Sequence, residues 1–182
     1  VGPFYTEDYA RRRMRSVNEK WIEDAGRGWR RVVPSPDPIR IVERDAIISL
    51  VRSGAIVIAN GGGGIPVVER NGHYEGIEAV IDKDLGGECL ARDVRADILM
   101  ILTDVGQVAL NYRMPDQRNL DTVTLAEITR YQQEGHFKAG SMGPKVEACR
   151  RFVSRGGEAS IIASLEHAVD AVESRRGTRI TR

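Results

Sequence analysis

The run Ala55-Ile56-Val57-Ile58-Ala59-Asn60 passes directly into Gly61-Gly62-Gly63-Gly64 and then Ile65-Pro66-Val67. A short apolar run bounded by turn residues reads as a buried strand. The glycines behind it open backbone angles and close approaches that a Cβ forbids. A loop of this kind at the carboxyl end of a parallel strand lies in the crevice where open α/β sheets bind their ligands. Two readings stand side by side: a loop that touches a ligand, and a plain connection. The letters exclude two familiar phosphate motifs. Counted from Gly61 or Gly62, the third glycine of G-x-G-x-x-G falls on Pro66 or Val67, and no Gly-Lys pair exists to complete a Walker A loop.

The rest of the chain alternates between the two periods. Thr6 is placed to cap a helix with Glu7 and Asp8 in its first turn, and Ala10, Met14, Val17 and Trp21 continue it as one apolar stripe. From Glu23 the pattern dissolves, and Pro34, Pro36 and Pro38 predict an extended arm or hinge. A helix over about 43–53 ends at Gly54. Asn71-Gly72 between Val67-Val68-Glu69-Arg70 and His73-Tyr74-Glu75-Gly76 is a two-residue hairpin signal. Asp82-Lys83-Asp84 opens a helix running through Leu90 and Val94, with carboxylates suited to cap free amides.

Strands are expected over 96–102, tipped by Thr103-Asp104, and over 107–112, followed by a turn at Met114-Pro115-Asp116. Thr124 and Glu127 form a capping box for a helix ending near Gly135. Gly140-Ser141-Met142-Gly143-Pro144-Lys145 opens the next helix, with Pro144 suited to its first position. A strand over 159–163, a helix capped by Ser164 and a short strand over 177–180 complete the chain. Strand and helix in alternation predict an α/β fold, a mainly parallel open sheet with helices on both faces. A protruding arm over 1–38 precedes a main domain over 39–182.

Composition removes whole classes of function. The 27 basic and 26 acidic residues are interspersed and leave a net charge of +1, so there is no electrostatic grip for nucleic acid or an anionic membrane. Cys89 and Cys149 are far apart and lack C-x-x-C spacing, which argues against a disulfide framework or a zinc site and points to a reducing cytoplasm. No apolar run approaches the ~20 residues of a membrane span. Val1 is not an initiator methionine, and the chain is expected to begin away from a natural translation start.

Three loops carry phosphate-friendly groups: Gly61 to Gly64, Lys83-Asp84, and Ser141 to Lys145. Lys145 is the most suggestive residue, because an ammonium beside a helix N-terminus is disfavoured unless an anion lies between them. In a doubly wound sheet the three loops converge. Phosphoryl transfer needs positioning and charge stabilisation, which lysines, backbone amides and Mg²⁺ provide. Asp84 would fix the lysines or hold a magnesium-bound water. On spacing alone Lys83 reads as a surface residue, and Asp84 can also be read as only a helix cap.

Four stretches in order resemble the carbamate kinases of the amino acid kinase family: Glu23 to Pro36, with its core Gly26-Arg27-Gly28-Trp29-Arg30-Arg31-Val32-Val33-Pro34; Gly61 to Val67; Glu78-Ala79-Val80-Ile81-Asp82-Lys83-Asp84-Leu85; and Gly140 to Ala148. The resemblance implies reversible phosphoryl transfer between ATP and carbamate, run from carbamoyl phosphate and MgADP in arginine metabolism by a cytoplasmic homodimer. It implies that Lys145 contacts the nucleotide phosphates, that Asp84 organises the catalytic lysines and that Lys83 is a further phosphate contact. Thr103, Asp104, Val105, Tyr112, Met114 and Pro115, with Ser141 and Met142, correspond to the adenine-nucleotide pocket. Residues 2–36 correspond to the arm that leans over the carbamate site.

The departure from the pattern is also informative. Complete carbamate kinases carry a long N-terminal half with an early glycine loop, a second glycine-rich segment for the carbamoyl group and a lysine just before the position of Val1. This chain therefore reads as the ATP-binding part. The alternative is a nucleotide-binding or assembly module that lacks the acceptor site. Kinases for other acyl acceptors are disfavoured by the Gly26 to Pro36 stretch.

Overall fold

A computed structural model describes residues 1–24, 26–138, 140–173 and 175–182. The chain divides into two compact units, Val1–Pro36 with Ile65–Val80, and Asp37–Gly64 with Ile81–Arg182.

The first unit holds helix α1 (Glu7–Val17), the antiparallel hairpin β1 (Lys20–Glu23) and β2 (Trp29–Val32), and the hairpin β3 (Val67–Arg70) and β4 (His73–Gly76). Thr6 caps α1, its side chain accepting the Tyr9 N–H. The helix stops where Asn18 turns left-handed at φ 55°. Trp21 therefore does not extend the helical stripe: it lies in β1, buried edge-on against Tyr5 and Tyr9 at 5.4 and 5.8 Å. The arm expected to be irregular from Glu23 onward pairs its ends instead, Glu23 opposite Trp29. Asn71 and Gly72, both at positive φ, make the tight turn between β3 and β4.

Hydrogen bonds accompany this division into units. The Val80 N–H donates to the Pro34 carbonyl, and Arg31 pairs with Glu78. Past the boundary, Asp37 pairs with Arg151 at 2.8 Å, the Ile39 carbonyl accepts from Arg92 at 2.7 Å, and the Ile41 N–H donates to Asp93 at 2.9 Å.

The second unit is built on a four-stranded sheet in the order β5 (Ile98–Thr103), β9 (Ala159–Ser164), β10 (Thr178–Thr181), β8 (Thr122–Thr124). Strands β5 and β9 run parallel, as do β10 and β8, while β9 and β10 are antiparallel. Around the sheet stand α2 (Arg44–Arg52), α3 (Lys83–Val94), α4 (Leu125–Gln133), α5 (Met142–Ser154) and α6 (Ala168–Val172), with a small hairpin of β6 (Ala109–Leu110) and β7 (Arg118–Asn119). The strands alternate as a sheet covered on both faces requires. Leu99, Ile101 and Ile162 enter the large core with Ile128, Val146 and Phe152, whereas Ile161 and Ala163 face Ala171 of α6 with Ile98 and Met100 beside them.

The expectation that fails is the opening strand. Residues 55–60 form no strand, and Ile56 and Ile58 are 98% and 96% exposed. A strand exists through its ladder partners, and among the described residues none lies beside this run. Pro144 stands third rather than first in α5, within the first turn where its missing N–H leaves no bond unmade. The capping box of α4 forms as expected, Thr124 and Glu127 each satisfying the other's backbone N–H. Ser164 precedes a short 3₁₀ turn over Leu165–His167, not a full helix, and makes no side-chain cap bond.

Candidate functional site

Asp82 caps α3, its carboxylate accepting the N–H groups of Asp84 at 2.8 Å and Leu85 at 3.4 Å. That leaves the carboxylate of Asp84, the second residue of the helix, free to face α5. There the Lys145 ammonium donates to Asp84 Oδ2 at 2.9 Å and Oδ1 at 3.3 Å. The side chains are only 8% and 13% exposed. The anion that Lys145 requires beside the start of α5 is therefore supplied, among the described residues, by Asp84. Lys83 stands at the edge of the pair, its ammonium 3.8 Å from Asp84 Oδ2 and its side chain 61% exposed. One carboxylate thus orients two ammonium groups, one sheltered and one open to solvent.

The glycine turn is tied to the same helix. Asn60 and Gly63 adopt positive φ, and the Gly63 N–H closes the turn onto the Asn60 carbonyl at 2.8 Å. A Cβ on Gly63 would lie 2.3 Å from the Ile81 carbonyl oxygen, so only glycine passes there. The Asn60 amide, in the orientation that satisfies both ends, donates to the Gly63 carbonyl and accepts from the Gly87 N–H, each at 3.2 Å. A Cβ on Gly86 would collide with that amide at 2.7 Å. Gly61, Gly62 and Gly64 are exposed. The glycine loop, Asp84, Lys83 and Lys145 therefore gather at the start of α3.

The expected nucleotide residues occupy other parts of the same unit. Thr103 ends β5 in register with Ser164 at the end of β9, and its hydroxyl donates to Asp104 at 3.0 Å. Asp104 and Val105 continue into a bend. Tyr112, Met114 and Pro115 form the exposed tip between β6 and β7, folded by the Met114 N–H bond to the Asn111 carbonyl at 2.9 Å. Ser141 stands at the N-cap of α5 without a side-chain cap bond, and Met142 leans on the large core. Among the described residues no hydrogen bond or ion pair joins 103–105 or 112–115 to Asp84 or Lys145.

Sequence reasoning missed two supports. Asn60 is the first, and its signal was present in Gly86-Gly87, a pair that weakens a helix unless something approaches closely. Glu88 is the second: 2% exposed and one turn beyond Asp84, it accepts from Arg155 at 3.0 Å and pins α3 to the end of α5. Cys149, one turn beyond Lys145, is fully enclosed, and burial pushes its thiol up to about 12.

The pattern of the amino acid kinase family matches residues 11–164. Carbamate kinase from Thermococcus kodakarensis is 59% identical over the whole of this chain, which covers 58% of that protein. Carbamate kinase from Clostridium perfringens is 50% identical, with 100% of this chain and 58% of the relative covered. The structure of carbamate kinase from Giardia lamblia bound to AMP-PNP superposes with a TM-score of 0.91 at 49% identity, over all of this chain and 58% of that one. The chain thus spans 58% of the length of each of these relatives.

Proposed function

Because the chain belongs to the amino acid kinase family, we propose that it is the nucleotide-binding part of a carbamate kinase, which passes a phosphoryl group between carbamoyl phosphate and ADP. The observation that carries this reading is the sheltered Lys145–Asp84 pair at the starts of α5 and α3, one helical turn from the docked glycine loop. Relatives named carbamate kinase, one of them with bound AMP-PNP, support it.

In the transfer, the bond from phosphorus to the carbamate oxygen breaks as a bond to a β-phosphate oxygen of ADP forms, and carbamate leaves as an anion. No proton has to move. The chain's task is to hold the reactants in line and balance charge on the transferring group. Lys145 is proposed as the phosphate contact, Asp84 as the group that aims it, and Lys83 as a mobile second contact. The exposed amides of the glycine loop would face the same phosphates. Thr103 to Val105, Tyr112, Met114, Pro115, Ser141 and Met142 are proposed to receive the adenosine.

Mg²⁺ enters this reading on the nucleotide, where it neutralises phosphate charge. Magnesium commonly binds through substrate phosphates and water; among the described residues no group of three or more His, Cys, Asp or Glu side chains is placed to hold a metal ion. The homodimer, the cytoplasmic setting and the arm role of residues 1–36 rest on the family resemblance and belong to the proposal. Among the described residues no helix is long and apolar enough to cross a membrane.

The test is ATP formation from carbamoyl phosphate and MgADP, with ADP binding measured in parallel. Turnover that Lys145→Ala reduces by orders of magnitude supports the kinase reading. ADP binding without turnover leaves a nucleotide-binding module, and loss of both removes the assignment.

A further inference from the structure

A second cluster of charge lies at the far end of α3. Between α2 and the last turn of α3 is a cavity of about 510 Å³ whose walls include Arg44, Arg52, Arg92 and Arg95. Its two carboxylates are already engaged. Asp45 pairs with Arg44 at 3.3 Å, and Asp93 accepts the Ile41 N–H at 2.9 Å and an Arg92 contact at 3.4 Å. Arg92 is further committed to the Ile39 carbonyl at 2.7 Å. Arg52 and Arg95, by contrast, have no carboxylate partner among the described residues. Ile48, Val51 and Val94 give the same cavity an apolar wall.

Helix ends explain part of this arrangement. An arginine in the last turn of a helix complements the negative end of the dipole, and Arg52 and Arg92 both stand there. Arg95 goes beyond that need. It occupies the left-handed C-cap of α3 at φ 57°, ψ 49°, a conformation that costs an ordinary side chain about 1 kcal/mol and that glycine usually takes. An arginine in that place sets a second cation without a carboxylate partner among the described residues at the rim of an apolar-walled cavity. The rise of the helix puts it about 16 Å from Asp84, well away from the phosphate groups proposed above.

We propose that this cleft binds an organic phosphate monoester, with Arg52 and Arg95 taking the phosphate and Ile48, Val51 and Val94 receiving the apolar part. A monoester carries close to two negative charges at pH 7. Two guanidinium groups without a carboxylate partner among the described residues match that charge and offer forked donors to its oxygens.

The probe is phenyl phosphate, titrated into the isotope-labelled 182-residue chain while amide resonances are followed, with inorganic phosphate and benzoate as comparisons. The expected result is saturable movement of amides in 48–52 and 92–95, with phenyl phosphate binding at least tenfold more tightly than either comparison. Arg52→Gln with Arg95→Gln should weaken it tenfold or more and leave ADP affinity unchanged. Neither side chain has an ion-pair partner among the described residues, so an unaltered melting temperature checks that the fold is retained. No saturable movement, movement confined to 61–64 and 141–145, or undiminished binding by the double variant each overturns the proposal.

Discussion

Neutralising either half of the Lys145–Asp84 pair should cost more stability than neutralising both. At 2.9 Å, with 13% and 8% exposure, the two groups have given up most of their hydration. Breaking one side of a buried pair costs about 3–5 kcal/mol, because the remaining charge stays desolvated and alone. Residual exposure lowers that range here, and the two singles are not equivalent. In Lys145→Met the stranded carboxylate keeps Lys83 at 3.8 Å and the positive end of α3, so the loss should be about 2 kcal/mol. In Asp84→Asn the stranded ammonium faces the positive end of α5, and the loss should be about 3 kcal/mol. The double variant strands nothing and should lose under about 2 kcal/mol, a coupling of about 3 kcal/mol or more. Urea denaturation of the four proteins at pH 7, with equal m-values required, measures each term. Losses that add within about 0.5 kcal/mol would refute the burial argument, and a larger loss in Lys145→Met than in Asp84→Asn would refute the helix-end argument.

Three further outcomes follow from the same structure. Gly63→Ala, whose Cβ would meet the Ile81 carbonyl at 2.3 Å with φ at +129°, should lose about 2–4 kcal/mol in urea denaturation, whereas Gly62→Ala, with nothing within 4 Å, should lose under about 1. Burial pushes the Glu147 carboxyl up, but hydrogen bonds from Arg150, Arg151 and Gln132 outweigh it and bring the group from its ordinary 4.5 to about 2. A depressed carboxylate adds stability above the unfolded value and loses it as pH falls toward the folded one. The stability gap between the parent and Glu147→Gln should therefore hold at pH 6 and close between pH 4.5 and 2, as thermal melts at stepped pH will show. Cys89 and Cys149 are both fully buried, and burial raises both thiols. A thiol-specific disulfide reagent at pH 8 should label neither in the native chain and both in step with unfolding.

What was legible in the sequence was local. Thr6, Asn71-Gly72 and the Thr124–Glu127 box each fix a few backbone angles through neighbours within four residues, and each forms as read. Lys145 was picked out by charge at a helix start, a signal that needs no tertiary knowledge. Trp21 was misassigned because helical spacing persists past Asn18, where a single left-handed residue ends the helix. The run at 55–60 was misread because apolar letters declare a wish for partners without supplying them. The pairing of Asp84 with Lys145 across 61 residues, and of Glu88 with Arg155 across 67, depends on how α3 crosses α5, which no periodicity encodes. Asn60 lay between: Gly86-Gly87 signalled that something comes close, but only the fold shows what.

The central claim is that nucleotide phosphates meet the glycine loop and Lys145 at the start of α3. The most direct measurement is titration of MgADP into the labelled chain with amides followed residue by residue, in the parent and in Lys145→Met. The account predicts saturable shifts in 61–64, 83–85 and 141–145, with adenosine effects in 103–105 and 112–115, and at least a tenfold loss of affinity in the variant. Binding that leaves 61–64 and 141–145 unmoved, or that Lys145→Met does not weaken, would contradict it.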